Sequence, residues 1–360
     1  MKLPKANIIK SELYVPGPSL FGKKKGIIKL SANESALGPS PRAIREFNRV
    51  SKTLKRYPDS EGLSLKNTIA KKFKLNSKQI ILGSGSDQIL ELVCKMFLNK
   101  DCEVIVPKYS FIVYRIYSKM NGAKVIYSKE DNFTVSVKDI LKKVTKNTKI
   151  IFLANPNNPT GTYIKKKDLL FLRKKLRKNI LLVVDDAYFE YVKQKNYSSA
   201  LKIFANYKNV VMTRTFSKIY GLAGLRVGWG YGSKEIINAL NKVKPPFNVS
   251  RPALFAASEA IKDNTWLNKE IKHVNKWNKK MFNEFKKMKI ETNKSYSNFL
   301  LVNFDKVKTN SSRVFKLLAK AGILVRKMDV YGIKNSLRIT IGKSKENKKL
   351  ISKMKRILNV

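Results

Sequence analysis

The sequence predicts an α/β chain: a mostly parallel seven-stranded sheet covered by helices, followed by a smaller α+β portion. Two observations carry this. From about residue 65 to 232, short apolar runs alternate with longer amphipathic segments, as strands joined by crossover helices do. Beyond Pro245-Pro246 the pattern changes to one long amphipathic segment and then three more short apolar runs.

Taken in order, the first thirty residues hold Pro4, Pro16, Pro18 and several glycines with little periodicity. They read as an extended arm, placed at 1–35. In the next portion, 36–250, strands are expected from Gln79 to Leu82, Glu103 to Val106, Ala123 to Tyr127, Lys149 to Leu153, Ile180 to Val184, Asn209 to Met212 and Arg226 to Tyr231. Between the first two, Ile89, Leu90, Val93, Met96 and Phe97 recur at helical spacing, giving one apolar face to lie on the sheet. In the last portion, 251–360, Leu267, Ile271, Val274, Met281, Phe285 and Met288 trace a long amphipathic helix. Strands follow from Phe299 to Asn303, Gly322 to Arg326 and Leu337 to Ile341.

A chain of 360 residues, 43% hydrophobic, can bury a large core. The start lacks the apolar run of a secretory signal, and no stretch approaches the roughly 18 apolar residues of a membrane span, so a cytoplasmic protein is expected. Two cysteines make no disulfide framework, and Cys94, among Leu92, Val93 and Phe97, reads as a buried thiol. A single histidine, His273, excludes a His-rich metal site or a His-centred triad and reads as surface; no metal is expected. The net charge of +50 would suggest a polyanion partner. The lysine clusters are spread over most segments, however, and an evolved nucleic-acid surface favours arginine forks with interleaved aromatics. Specific nucleic-acid binding is therefore not expected, while salt-sensitive, nonspecific polyanion binding is.

The chemistry-bearing residues collect at strand ends. Gly83-Ser84-Gly85-Ser86-Asp87 follows one strand and opens a helix, so backbone N–H groups and the helix dipole converge where a phosphate would sit. Such turns are common, and this one lacks dinucleotide spacing and a Walker lysine. Asp185 ends the run Ile180-Leu181-Leu182-Val183-Val184, at the edge where open α/β sheets hold ligands, although an aspartate there can equally cap a helix. The next strand runs into Thr215-Phe216-Ser217-Lys218, and Arg226 lies eight residues on. Most lysines of this chain are solvated side chains; Lys218 is set apart by its neighbours.

Thr215-Phe216-Ser217-Lys218, Gly221-Leu222-Ala223-Gly224-Leu225-Arg226, Asn155-Pro156-Asn157-Asn158-Pro159-Thr160-Gly161 and Asp185-Asp186-Ala187-Tyr188 together resemble the fold type I aminotransferases, in order and in separation. Ser31-Ala32-Asn33-Glu34-Ser35-Ala36-Leu37-Gly38-Pro39, Arg56-Tyr57-Pro58-Asp59 and Leu337-Arg338-Ile339-Thr340-Ile341-Gly342 look like the histidinol-phosphate aminotransferase branch. The resemblance spans about Tyr14 to Gly342.

That resemblance implies a homodimer using pyridoxal 5'-phosphate. Lys218 would carry the cofactor covalently and later move the substrate's α-proton, with Arg226 as the cation that depresses its pKa. Asp185 would pair with the pyridine nitrogen. Asn158 and Tyr188 would meet the ring oxygen, and Phe111 would stack on the ring. Ser86, Asp87, Thr215, Ser217 and Arg226 would hold the phosphate side, with Tyr57 reaching it from the neighbouring subunit. Tyr14, Asn33, Arg326 and Arg338 would face the substrate. Read without the resemblance, Arg326 and Arg338 are strand arginines, and Tyr14 and Asn33 are turn and packing residues. The implied reaction is amino transfer between L-histidinol phosphate and 2-oxoglutarate in L-histidine biosynthesis. An aromatic amino acid or prephenate aminotransferase, a phosphothreonine decarboxylase on the same fold, and a nucleic-acid-binding protein on a dead scaffold stay open. Ser35-Ala36-Leu37 departs from the usual Asn-Pro continuation, and Asp186 stands where glutamate is common.

Overall fold

The computed structural model describes residues 12–18 and 26–360; Pro4 and most of the expected arm lie outside the described residues. The central sheet has seven strands: β1 (Ile80–Gly83), β2 (Glu103–Pro107), β3 (Lys124–Ser128), β4 (Thr148–Ala154), β5 (Leu181–Asp185), β6 (Val210–Thr215) and β7 (Gly228–Tyr231). Their spatial order is β1-β7-β6-β5-β4-β2-β3. β7 runs antiparallel to both neighbours and the remaining pairs are parallel, so the sheet is mostly parallel, as expected from the sequence. The inner strands are near-continuous apolar runs because both faces are covered, whereas the edge strand β3 is partly exposed. Ile105, Ile151, Leu153, Leu182 and Val184 face one core, and Val104, Val106, Ile150, Phe152 and Val183 the other.

On the second face lie helix α1 (Ser86–Phe97), which buries Ile89, Leu90, Leu92, Val93 and Cys94, and helix α2 (Val113–Met120), which buries Tyr114. Burial pushes the Cys94 thiol up to about 12, so it is a packing group. The long helix α3 (Asn264–Lys287) starts at Asp263, whose side chain accepts from the Trp266 N–H, and buries Val274, Trp277, Met281 and Phe285.

Three features depart from the sequence reading. Gly322 to Arg326 is not one strand: Ile323–Leu324 pairs in parallel with Ile28–Lys29, whereas Arg326–Lys327 joins a four-stranded antiparallel sheet. The chain changes sheets at Val325 because residues 28–29, part of the expected arm, supply a strand of their own. Arg226 does not open β7 but sits two residues ahead of it in the left-handed region, φ 49°, where its guanidinium turns toward Asp87 and Ser217. His273 is half-buried, its Nε2 2.9 Å from the Gly342 carbonyl, because the C-terminal segment packs against α3. In the four-stranded sheet Arg326 and Arg338 are direct cross-strand partners, which brings two arginines to one face.

Candidate active site

The carboxyl ends of β4, β5 and β6 open into a cavity of about 440 Å³. Asp185 ends β5, Ser217 and Lys218 follow β6, and Asn158 follows β4. Arg226 and the N-terminus of α1 close one side, and Arg326, Arg338, Asn33 and Tyr14 the other. Of the residues singled out in the sequence, Ser86, Asp87, Phe111, Asn158, Asp185, Tyr188, Thr215, Ser217, Lys218, Arg226, Tyr14, Asn33, Arg326 and Arg338 all line this one cavity. Tyr57 does not. It is 79% exposed, stacks on Phe247 at 4.7 Å, and lines an adjoining surface depression that Arg226 also borders.

The Lys218 amine is buried and lies 3.2 Å from the Ala32 carbonyl. Burial lowers its pKa to about 8, and the strongest charge acting in the same direction is Arg338, ahead of Arg226. The sequence reading named Arg226 for that role; Arg226 is partly engaged with the Asp87 carboxylate at 2.9 Å, which offsets its charge.

Asp185 is raised to about 6 by burial, against which its hydrogen bond from Tyr114 works. Oδ2 accepts the Tyr114 hydroxyl at 3.1 Å, while Oδ1 is buried and has no hydrogen-bond partner among the described residues. A buried carboxylate oxygen left without a donor is costly unless a ligand supplies one. Its neighbour Asp186 is turned away, accepting from the Ala200 and Leu201 N–H groups and lying 3.6 Å from Arg214.

At the phosphate end, Gly85 adopts φ +82°, and a Cβ there would strike Asp87 Oδ1 and the Arg226 guanidinium. A Cβ on Gly228 would strike the Ser86 nitrogen. Small residues thus let the first N–H groups of α1, which have no intrahelical acceptor, share a concavity with Arg226. Arg226 Nη1 donates to Ser217 Oγ at 3.2 Å, and the Ser217 N–H to Thr215 Oγ1 at 3.0 Å.

Across the cavity, Arg338 donates to Asn158 Oδ1 at 2.5 Å and to the Ser31 carbonyl at 3.1 Å, and Arg326 to the Val15 carbonyl at 2.6 Å. Tyr188 accepts from the Asn33 amide at 3.0 Å. Both arginines are buried and, among the described residues, neither has a carboxylate partner, so that side is left positive. Pyridoxal phosphate fits this set: an anion cradle at one end, an unpaired carboxylate oxygen for a ring N–H, and a buried amine between. Among the described residues no cluster suited to a metal occurs.

The sequence reading missed Tyr114, which touches Asp185, and Tyr117, Tyr331 and Glu34, which line the cavity. Phe111, Tyr114 and Tyr117 recur at intervals of three, a helical spacing that could have drawn attention to them.

The chain matches the family model "Aminotransferase class I and II" over residues 25–354. It is 52% identical to a histidinol-phosphate aminotransferase of Pelagibacter ubique (strain HTCC1062), covering 100% of both chains. It is 38% identical to one of Rhodopseudomonas palustris (strain BisB18), over 97% of this chain and 96% of that one. Among solved structures it resembles the histidinol-phosphate aminotransferase of Clostridium acetobutylicum, with TM-score 0.85, 25% identity and 92% and 99% of the two chains covered. It shares its fold with the enzyme of Sinorhizobium meliloti solved in complex with pyridoxal-5'-phosphate, with TM-score 0.87, 22% identity and 92% and 91% covered.

Proposed function

The chain belongs to the class I and II aminotransferase family, and from that membership we propose that it transfers the amino group of L-histidinol phosphate to 2-oxoglutarate in histidine biosynthesis. The observation that carries this reading is the single cavity in which a buried lysine amine, an unpaired aspartate oxygen and an arginine at a helix N-terminus face one another. The full-length likeness to histidinol-phosphate aminotransferases supports the choice of substrate.

Bound there, pyridoxal phosphate supplies an electron sink for the pair left when the substrate's α-carbon loses its proton. The chain's own groups do the rest. Arg226, Ser217, Thr215 and the Ser86 and Asp87 N–H groups bind the phosphate, with Tyr57 of a second subunit completing the cradle. Asp185, with Oδ1 unpartnered at the cavity wall, would hold a proton on the ring nitrogen. Tyr188 receives a hydrogen bond from Asn33, which leaves its own hydroxyl proton free to donate. Asn158 likewise spends its carbonyl oxygen on Arg338 and keeps its NH₂ for the ring oxygen. Phe111, which lines the cavity, would pack on the ring. Lys218 holds the cofactor covalently at rest. Its amine, once free, would serve as the base that takes up and returns the substrate's α-proton. Its depressed pKa keeps a large share of it neutral near pH 8. Arg326 and Arg338 bind the phosphate of the amine donor and the carboxylates of 2-oxoglutarate in turn, and Tyr14 and Asn33 shape that end.

In this reading residues 36–250 form the cofactor-binding domain and 251–360 the smaller one, in a cytoplasmic homodimer. No described helix is long and apolar enough to cross a membrane. The aromatic lining of Phe111, Tyr117 and Tyr331 would also accept an aromatic amino acid. Glutamate formation from 2-oxoglutarate, followed with L-histidinol phosphate, L-phenylalanine and L-tyrosine as donors, separates the two. The reading predicts kcat/KM at least a hundredfold higher for histidinol phosphate; equal or higher values for the aromatic donors would replace it.

A further inference from the structure

A carboxylate that must meet a ring nitrogen needs its orientation fixed before the ring arrives. Asp185 has two oxygens in different surroundings: Oδ2 accepts the Tyr114 hydroxyl at 3.1 Å, and Oδ1 is buried with no partner at the cavity wall. Tyr114 is itself immobilised. It is wholly buried in the first turn of α2, its ring lies parallel to Phe152 at 5.0 Å with an interplanar angle of 4°, and Phe111 meets it edge-on at 5.6 Å. Two aromatic rings thus fix one phenol, and that phenol holds one carboxylate oxygen.

We propose that Tyr114 is the positioning residue of Asp185: its hydroxyl proton selects the carboxylate orientation that leaves Oδ1 free for the ring nitrogen. The role rests on the function proposed above, but the contact exists without any ligand. Burial holds the Tyr114 phenol protonated, so it donates across the working pH range. The other groups facing Asp185 are Asp186 next to it in the chain, the Thr213 hydroxyl on the neighbouring strand, the Ala187 N–H, Tyr188 beyond the strand end and Lys218 across the cavity. The Thr213 hydroxyl and the Ala187 N–H both favour the charged form more weakly than Tyr114 does. Asp186 repels the carboxylate and so cannot orient it by hydrogen bonding. A donor to an ionised carboxylate stabilises the charged form, so its loss raises the carboxyl pKa and lets the group rotate.

The test uses the full chain without ligand and then loaded. The Asp185 carboxyl is titrated by carbon-detected NMR in wild type, in Tyr114→Phe, and in protein carrying 3-fluorotyrosine at position 114. The fluorinated ring keeps the shape and strengthens the donor. Removing the donor should raise the Asp185 pKa and fluorination should lower it. In the loaded enzyme, Tyr114→Phe should lower kcat roughly tenfold or more with KM for the amine within about twofold, and move the acid limb of the pH profile with the carboxyl pKa. Folded variants whose Asp185 pKa matches wild type would overturn the proposal, as would a shifted pKa with unchanged kcat. If the wild type transfers no amino group at all, the functional reading fails while the ligand-free titration still decides the contact.

Discussion

Lys218 and Asp185 are each buried in a cavity that favours their uncharged forms, with Lys218 lowered to about 8 and Asp185 raised to about 6. A lysine with a depressed folded pKa binds fewer protons folded than unfolded between about pH 8 and its ordinary 10.5. Its penalty is therefore fully present below about pH 8 and is relieved as pH rises toward 10.5. Lys218→Met should stabilise the ligand-free protein at pH 7 by on the order of 3 kcal/mol. The gain should shrink as thermal melts are repeated from pH 8 upward; a pH-independent gain would show that charge burial is not its cause. Asp185→Asn leaves the shape but cannot hold the ring proton, so kcat should fall roughly a hundredfold or more with little change in KM. Asp185 and Lys218 were readable in the sequence because one ends and the other closely follows a buried strand, where side chains at one edge converge; Arg226 was readable only from its spacing after Lys218 and the resemblance built on it. Tyr114 was not, because an aromatic residue on an amphipathic helix is ordinarily packing, and only tertiary contact shows where its hydroxyl points.

At the scale of elements, the phosphate cradle depends on the close approach of β1, β7 and the N-terminus of α1. Gly85→Ala would force Asp87 and Arg226 apart at a left-handed position. Pyridoxal phosphate affinity, read by fluorescence quenching, should weaken at least tenfold, while an Ala substitution at exposed Gly26 changes it little. Unchanged affinity would mean that Arg226 is not held against that turn. All seven strands of the central sheet could be placed from the sequence because runs such as Leu181-Leu182-Val183-Val184 are buried on both faces. Helix Arg251–Lys262 could not: Ala253, Leu254, Ala256, Ala257, Ala260 and Ile261 are buried around much of its girth, so no polar face marks its period. The sheet change at Val325 was equally hidden, since it depends on Ile28 and Lys29 arriving from some 300 residues away.

For the whole molecule, Arg226 borders both the cavity and the open depression that holds Tyr57 and Phe247, which the exposed Leu54 also lines. A dimer that covers this face would bring Tyr57 to the partner's cradle. Sedimentation should give about twice the 41.2 kDa chain mass, and Tyr57→Ala should weaken cofactor affinity without changing the fold; a stable monomer with full affinity would remove Tyr57 from the site. The charge of +50 has a separate consequence: retention on heparin should fall steeply and without specificity as salt rises. All of this turns on whether Lys218 carries the cofactor. Purified wild type and Lys218→Ala, each mixed with pyridoxal phosphate, should be compared by absorption spectrum before and after borohydride, and then with L-histidinol phosphate added. The account predicts a band near the visible edge that borohydride fixes to protein only in wild type and that the amine bleaches. A correctly folded wild type with no such band, or a Lys218→Ala protein that is fixed equally well, would contradict it.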